Sequence, residues 1–552
     1  MGNEKTKLAM KKKKFSTRTA SISMPDWLKS KPYSYSSGYD RPYLKLCEEV
    51  FKILNTRKEW FDDGKVDREL RKELACMLVS YFEDFASEIG IWQAFTSYNL
   101  ELHGYYLPFY DLSEYDPEYL NVEDFAYLIW HFNTKCLDTR IYAPDHPYIW
   151  DLAEEIYDLL EAEIENVPAT DFYDSFWAVA DGADFFELKV KLAWMSKKSY
   201  LMGWELGKRM EEEADELLYE EDDKLEAEMM PYLLYAMQED YLYAKRCSFA
   251  AMNAPEWLSK IARCSDGKKQ EINDLQYRHQ GMYLYQGEEP LHYLFTHLTT
   301  DREYKVLKDS VKKNDGMGRP GKIAYLMTLV LWDGEWMLTG TMSGWDITPE
   351  EMEKAKTQRV VTPWIYPEEK IRRMRESTDM MLKAFVEFFG SPLALFLNTS
   401  ELQQGMNDFL KFYHQSLGSP DPDFERRREA YKRKHGLKEL TNIDALPQGH
   451  GFGLMFVEDV GISTLQNVQD TLISLKKEHP TKEEKKDLFY DLLVNYEPVV
   501  AEFLLQHFGH QNFEHPIELS KVDAWRDRHF YWRFFRPEDY GPKYPMMTEV
   551  EM

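Results

Sequence analysis

The 552-residue chain is 44% hydrophobic and 15% aromatic, enough for a large core and for two to four domains at roughly 100–200 residues each. Its formal charge of −28 disfavours nucleic acid and anionic membrane surfaces, both polyanions, as main partners. No run of about 18 apolar residues is present to span a bilayer.

Residues 1–38 read as a disordered basic and polar arm. Lys11 to Lys14 resemble the start of a secretory signal, but polar Ser16-Thr17-Arg18-Thr19 occupies part of the place of an apolar segment. Met1-Gly2-Asn3-Glu4-Lys5-Thr6 fits the short N-myristoylation pattern, with the lysine run as a second, electrostatic anchor. The plain basic arm is the preferred reading.

Helical periodicity then begins, and residues 39–270 are expected to form an acidic helical domain. Leu70, Leu74, Met77, Leu78, Tyr81, Phe82 and Phe85 make one apolar stripe, and Ile149, Leu152, Ile156, Leu159, Leu160 and Ile164 another. Both follow the i, i+3, i+4, i+7 rule of a helix packed on one face. Between residues 151 and 245 there are 26 Asp or Glu against eight Lys or Arg. Acidic tails that stay unfolded lack large apolar residues; this stretch repeats Leu, Ile, Trp and Tyr at helical spacing, so a folded acidic surface is expected.

The pattern changes near residue 270, and residues 271–460 are expected to form an α+β domain. Ile323 to Trp332 is nearly all apolar, Asp333-Gly334 follows, and Trp336, Leu338 and Met342 alternate after it. Two apolar runs joined by Asp-Gly predict a hairpin at 322–342, because Asp-Gly accepts the positive φ angles of a type I′ turn. Tyr304 and Val306 suggest a third strand. Thr348-Pro349-Glu350-Glu351 predicts a capped helix start. Pro392 to Leu397 and Phe452 to Val457 read as strands, with a helix capped at Ser400 after the first. Residues 419–447 read as a polar connection with a basic patch, Arg426-Arg427-Arg428 and Lys432-Arg433-Lys434. Residues 461–552 are expected to be a helical C-terminal region, opened by a capping box at Thr481 and Glu484 and closed by a Pro-rich aromatic tail. The fold expected is mainly α with a smaller α+β portion. No sequence repeat supports a solenoid.

Five cysteines, Cys47, Cys76, Cys136, Cys247 and Cys264, contain no CxxC pair. An odd, unpaired set suits a reducing, cytoplasmic compartment with Cys as a small buried hydrophobe.

Few motifs carry chemistry. Gly316 to Lys322 matches GxxxxGK, but Ile323 replaces the magnesium-binding Ser or Thr and a strand is expected where a helix N-terminus should receive phosphate. His507, His510 and His515 lie close together beside Glu514. They are the candidate metal ligands, since neutral imidazoles at i and i+3 on one helix face suit a cation, although Gly509 should end that helix and capping or core histidines are the blander reading. Gly449-His450-Gly451-Phe452-Gly453 brings backbone amides together or serves as a hinge. No GxSxG elbow and no catalytic cysteine signature occur. No cofactor is expected.

Asp26-Trp27-Leu28-Lys29, Lys31-Pro32-Tyr33 and Tyr43-Leu44-Lys45-Leu46, with the Trp332 to Trp336 hairpin, give the chain a resemblance to an uncharacterised family of bacterial intracellular proteins, a domain of unknown function. The resemblance implies a bacterial cytoplasmic setting and supplies no activity.

These observations favour a cytoplasmic protein-binding or scaffold protein that meets a basic partner through an acidic aromatic surface. The alternative is a hydrolase of a sugar or phosphate ester with its site near 449–453 or 507–515. The sequence leaves oligomeric state open.

Overall fold

Apolar residues at helical spacing wind the first half of the chain into α1 (Met24–Leu28), α2 (Asp40–Thr56), α3 (Arg68–Ala86), α4 (Ile91–His103), α5 (Val122–Cys136) and α6 (Pro147–Glu161). There follow α7 (Phe172–Trp177), α8 (Phe185–Lys198), α9 (Gly203–Tyr219), α10 (Lys224–Tyr243), α11 (Ala254–Ile261) and α12 (Asp266–Asp274). The structure is a computed structural model describing residues 21–57, 66–136, 143–219, 224–311, 316–356, 365–366, 368–417, 426, 451–457, 461–517 and 520–542. Side-chain caps start several of these helices, where orphan amides need an acceptor. Asp67 accepts from the Glu69 and Leu70 amides, Asp184 from those of Phe186 and Glu187, and Asn253 with Glu256 closes a capping box.

Two expectations change here. The aromatic load lies mainly inside: Trp27, Trp130, Trp177, Trp257 and Trp532 are among the largest fully buried side chains. Many of the acids stay in water, with Asp151, Glu154, Asp158 and Glu161 exposed on α6 and Glu211, Glu212, Asp215 and Glu216 on α9, while the buried Glu205 and Glu239 have lysine partners. Burying a ring gains apolar contact, whereas burying an unpaired carboxylate costs far more. The segment from 21 to 38 is also not an arm. The Trp27 indole donates to Asp40 at 3.0 Å and packs on Tyr43 at 5.9 Å, while the buried Lys31 ammonium pairs with Glu83.

The central strands are β1 (His279–Glu288), β2 (His292–His297), β3 (Glu303–Leu307), β4 (Ile323–Trp332), β5 (Glu335–Leu338) and β6 (Ser343–Asp346). Their order is β1-β2-β3-β5-β4-β6, and β1 also pairs with β4, so five strands close into a barrel. β3 and β5 run parallel, a Greek-key closure of the kind found in OB folds. Asp333 and Gly334 turn the β4–β5 hairpin at φ 52° and 78°. Tyr283, Phe295, Tyr304, Tyr325 and Met327 fill the interior. The hairpin turn is bolted to the helical part. Trp332 Nε1 donates to the Ala183 carbonyl at 3.0 Å, and Lys268 reaches Asp333 at 3.2 Å.

After α13 (Pro349–Lys356), α14 (Glu368–Phe389) and α15 (Thr399–Ser416) come β7 (Leu393–Phe396, between the last two helices), β8 (Phe452–Val457) and β9 (Gly461–Gln466). These three strands form an antiparallel sheet in the order β7-β8-β9. One face packs Phe452, Leu454 and Phe456 on Phe385 and Phe409 of α14 and α15. The other sets Met455, Val457 and Leu465 against α16 (Val468–Lys476) and α18 (Pro498–Phe508). Between them lie α17 (Lys482–Tyr490) and a π-helical turn over Asp491–Asn495.

The last helix, α19 (Arg528–Phe535), packs on the C-terminal region through Phe489 and Tyr531 and also reaches back to the first helices. Phe534 meets Trp130 at 4.9 Å and Tyr531 meets Phe109 at 5.0 Å, so one apolar core runs from Ile22 to Phe534.

Candidate ligand-binding cleft

The sheet order leaves the outer edge of β9 without a partner strand among the described residues. The Phe456 amide donates to the Pro392 carbonyl at 2.9 Å, so Phe452, Leu454 and Phe456 direct their backbone groups to β7, and Gly453, Met455 and Val457 direct theirs to β9. Gly453 pairs with Leu465 and Met455 with Ser463, and therefore Ile462, Thr464 and Gln466 turn their amides and carbonyls outward. The Tyr496 hydroxyl donates to the Gln466 carbonyl at 3.2 Å, which agrees with that alternation.

Facing this edge is the π-helical turn. One extra residue per turn breaks the ordinary carbonyl ladder, a distortion that often accompanies functional sites. Side chains stabilise it. Asp491 accepts from Thr471 at 2.5 Å and from Asn495 at 2.8 Å, and Thr471 lies 2.9 Å from the Tyr496 hydroxyl. Burial pushes the Tyr496 phenol above its ordinary range, so it stays a neutral donor. Arg536 donates to the carbonyls of Val494 and Tyr496, both at 2.8 Å, and Trp532 Nε1 donates to Leu492 at 3.2 Å. Asn467 enters α16 at φ 55°, a left-handed conformation that Asn tolerates better than most residues.

Between edge and turn lies a cavity of about 510 Å³, walled by Ser463 to Asn467 and by Asp491, Asn495, Tyr496, Glu497 and Arg536. A second hollow of about 700 Å³ shares Asn467, Asp491 and Asn495 with it. The walls offer hydroxyls, amides, carboxylates and one guanidinium. Among the described residues neither hollow is lined by a Cys or a His, and the groups lining them are suited to polar contacts.

The residues singled out from sequence lie elsewhere. His507 stacks on Phe503 at 4.0 Å, His510 on Trp525 at 4.3 Å, and His515 accepts from the Ile517 amide at 3.2 Å. Gly509, at φ 105°, ends α18, so His510 leaves the helix face that His507 occupies. Among the described residues no group of three His, Cys, Asp or Glu is placed to hold a metal ion. Gly449 and His450 lie outside the described residues, as does the basic patch except Arg426. Gly453 sits inside the sheet, where an added Cβ would meet Leu393 at 3.3 Å and Leu465 at 3.4 Å. The Gly316 to Lys322 stretch is a turn whose Gly321 amide donates to Tyr285 at 2.7 Å, and β4 follows it directly.

A buried polar cluster also escaped sequence reading. Glu205 accepts from the Ser248 amide at 3.0 Å and hydroxyl at 2.8 Å, with Lys135 at 3.5 Å and His131 at 3.9 Å. Beside it Ala250 and Ala251 adopt φ 55° and 54°, and their carbonyls accept from Arg533 and Arg246. Ser248 bonds a carboxylate rather than the imidazole, and Glu205 is only 4% exposed. The cluster holds the chain together rather than receiving a ligand.

Residues 22–288 match the model of a family described as a protein of unknown function (DUF3843). The match takes in Asp26 to Leu46 and ends in β1; the cleft lies beyond it. No curated protein and no solved structure matches the chain. No helix among the described residues is long and apolar enough to cross a membrane.

Proposed function

We propose that the chain is a non-enzymatic binding protein of the cytoplasm that receives a basic protein partner at the cleft beside β9. The observation carrying this reading is a cavity of about 510 Å³ bounded by an exposed strand edge and by the carboxylates of Asp491 and Glu497. Asp491 takes its hydrogen bonds from Thr471 and Asn495, neither of which neutralises it. The exposed acids of α6 and α9 add a field that draws cations toward the protein. Native mass spectrometry on protein isolated gently from its own cells tests the reading. A stoichiometric basic partner, released as salt rises to about 0.5 M and screening shortens to a few ångströms, supports it. A bare chain carrying a retained small molecule overturns it.

A second reading rests on the same walls. Their hydroxyl, amide and carboxylate groups also suit a hydroxyl-rich small molecule, and a retained sugar in that experiment would favour a carbohydrate-binding or hydrolytic role.

A further inference from the structure

We infer that the outer edge of β9 accepts an extended, Lys- or Arg-bearing peptide segment of the partner as an added strand. This rests on the basic-partner reading and names how the partner is held. Ile462, Thr464 and Gln466 point their backbone groups away from β8, as the Phe456–Pro392 and Tyr496–Gln466 hydrogen bonds fix. Thr464 is exposed, and its amide and carbonyl have no hydrogen-bond partner among the described residues. An unpaired edge is a template for another chain, and native proteins ordinarily blunt it with Pro, Lys or a covering loop. The opposite edge is blunted: the Leu393 amide donates to Ser391 at 3.2 Å and the Leu397 amide, just past β7, to Glu401 at 3.0 Å. Among the described residues β9 has no such device at Thr464, and its edge opens into the cavity rather than onto flat surface. Peptides that add to a sheet edge take affinity from main-chain hydrogen bonds and specificity from the side-chain walls.

The occupant's charge follows from those walls. Asp491 flanks the edge, and among the described residues Arg536 is the one cation lining the first hollow, where it is engaged with Asp539 and with the carbonyls of Val494 and Tyr496. An extended segment presenting a Lys or Arg toward Asp491 meets this balance; an acidic or apolar one does not. Ser463 to Gln466 span roughly 10 Å at about 3.3 Å per residue, so about four residues of the peptide pair.

The test uses the full chain and labelled short peptides in which Lys or Arg alternates with Val and Thr, followed by fluorescence anisotropy. Saturable binding is expected, weakened about tenfold when the peptide is N-methylated at the alternate positions facing β9, and unchanged when it is methylated at the others. Tenfold corresponds to about 1.4 kcal/mol, the size of a net backbone hydrogen bond. Thr464→Pro removes the outward amide at a place where an edge strand tolerates proline, and should reproduce the loss while its circular dichroism matches wild type. If that variant misfolds, the methylated peptides decide alone. Asp491→Asn should weaken binding of the Lys peptides and leave that of a Gln-substituted set unchanged.

Equal sensitivity in both methylation registers, or none, overturns strand addition. Absence of peptide binding while a basic partner is still captured whole overturns it and leaves the basic-partner reading standing. Absence of both removes both. Self-association abolished by Thr464→Pro would assign the edge to a second copy of the chain and also overturn the proposal.

Discussion

The indole nitrogen of Trp532 and the carbonyl oxygen of Leu492, forty positions apart in sequence, form a hydrogen bond of 3.2 Å inside the protein. It ties the last helix to the π-helical turn that walls the cleft. Trp532→Phe should therefore orphan a buried carbonyl, costing about 1–3 kcal/mol, and loosen the cleft. Urea denaturation should show the midpoint falling, and a stability equal to wild type would mean that the turn holds itself.

Trp27→Ala tests whether the segment before α2 belongs to the core. Removing a fully buried indole that also donates to Asp40 should cost roughly 3–5 kcal/mol. A change below 1 kcal/mol in the same assay would return these residues to a detachable arm.

Asp124 gives a pH prediction. Burial pushes its carboxyl up to about 7, against hydrogen bonds from Tyr81 at 2.5 Å and Tyr115 at 2.7 Å that favour the charged form. The unfolded group titrates near 3.9, so the folded state holds the extra proton between about pH 4 and pH 7. Its contribution is fully present below the unfolded value and is lost as pH rises through the folded one. The stability difference between wild type and Asp124→Asn should shrink over this window by a few kcal/mol. A difference constant with pH contradicts it.

His131 has the opposite sign. Burial holds the imidazole neutral, well below its ordinary value of 6.5, so its stability contribution is present above pH 6.5 and lost as pH falls. Among the described residues neither ring nitrogen has a hydrogen-bond partner, and the ring stacks on Phe249 at 3.8 Å. His131→Leu removes an unsatisfied buried polar group, a gain of about 1–3 kcal/mol. The variant should match or exceed wild type at pH 8 and gain on it further at pH 5. Destabilisation at both values would show that the imidazole makes an essential polar contact.

The late histidines should be silent toward metals. With His507 on Phe503 and His510 on Trp525, the double change His507→Ala and His510→Ala should leave the zinc, iron and manganese content of purified protein as in wild type. A stoichiometric metal lost in that variant would show that the rings regroup around an ion.

Local signals were legible in sequence because they act over a few residues. The Asp333-Gly334 hairpin, the strand at Phe452 and the capping box of Thr481 with Glu484 all stand where their chemistry put them. The helix after β7 starts at Asn398 with Glu401 rather than at Ser400 with Gln403, because two overlapping cap patterns compete there. β1 and β2 escaped, since each interleaves polar and aromatic residues and declares itself only through its pairings in the closed barrel, β1 with β2 and β4 and β2 with β1 and β3. The cleft escaped for the same reason. Thr471, Asp491, Tyr496 and Arg536 are ordinary polar residues until the sheet edge and the π-helical turn bring them together. The placing of the rings was legible only in part, because ring content measures how much core exists, not where it faces.

The return of α19 into the first core also sets a problem for synthesis. Trp130 and His131 leave the ribosome long before Phe534, their partner in packing. At about 5–20 residues per second the interval is roughly 20–80 s. For that time the nascent helical half carries an unfilled aromatic socket, and whichever chaperone covers it must yield to the chain's own last helix.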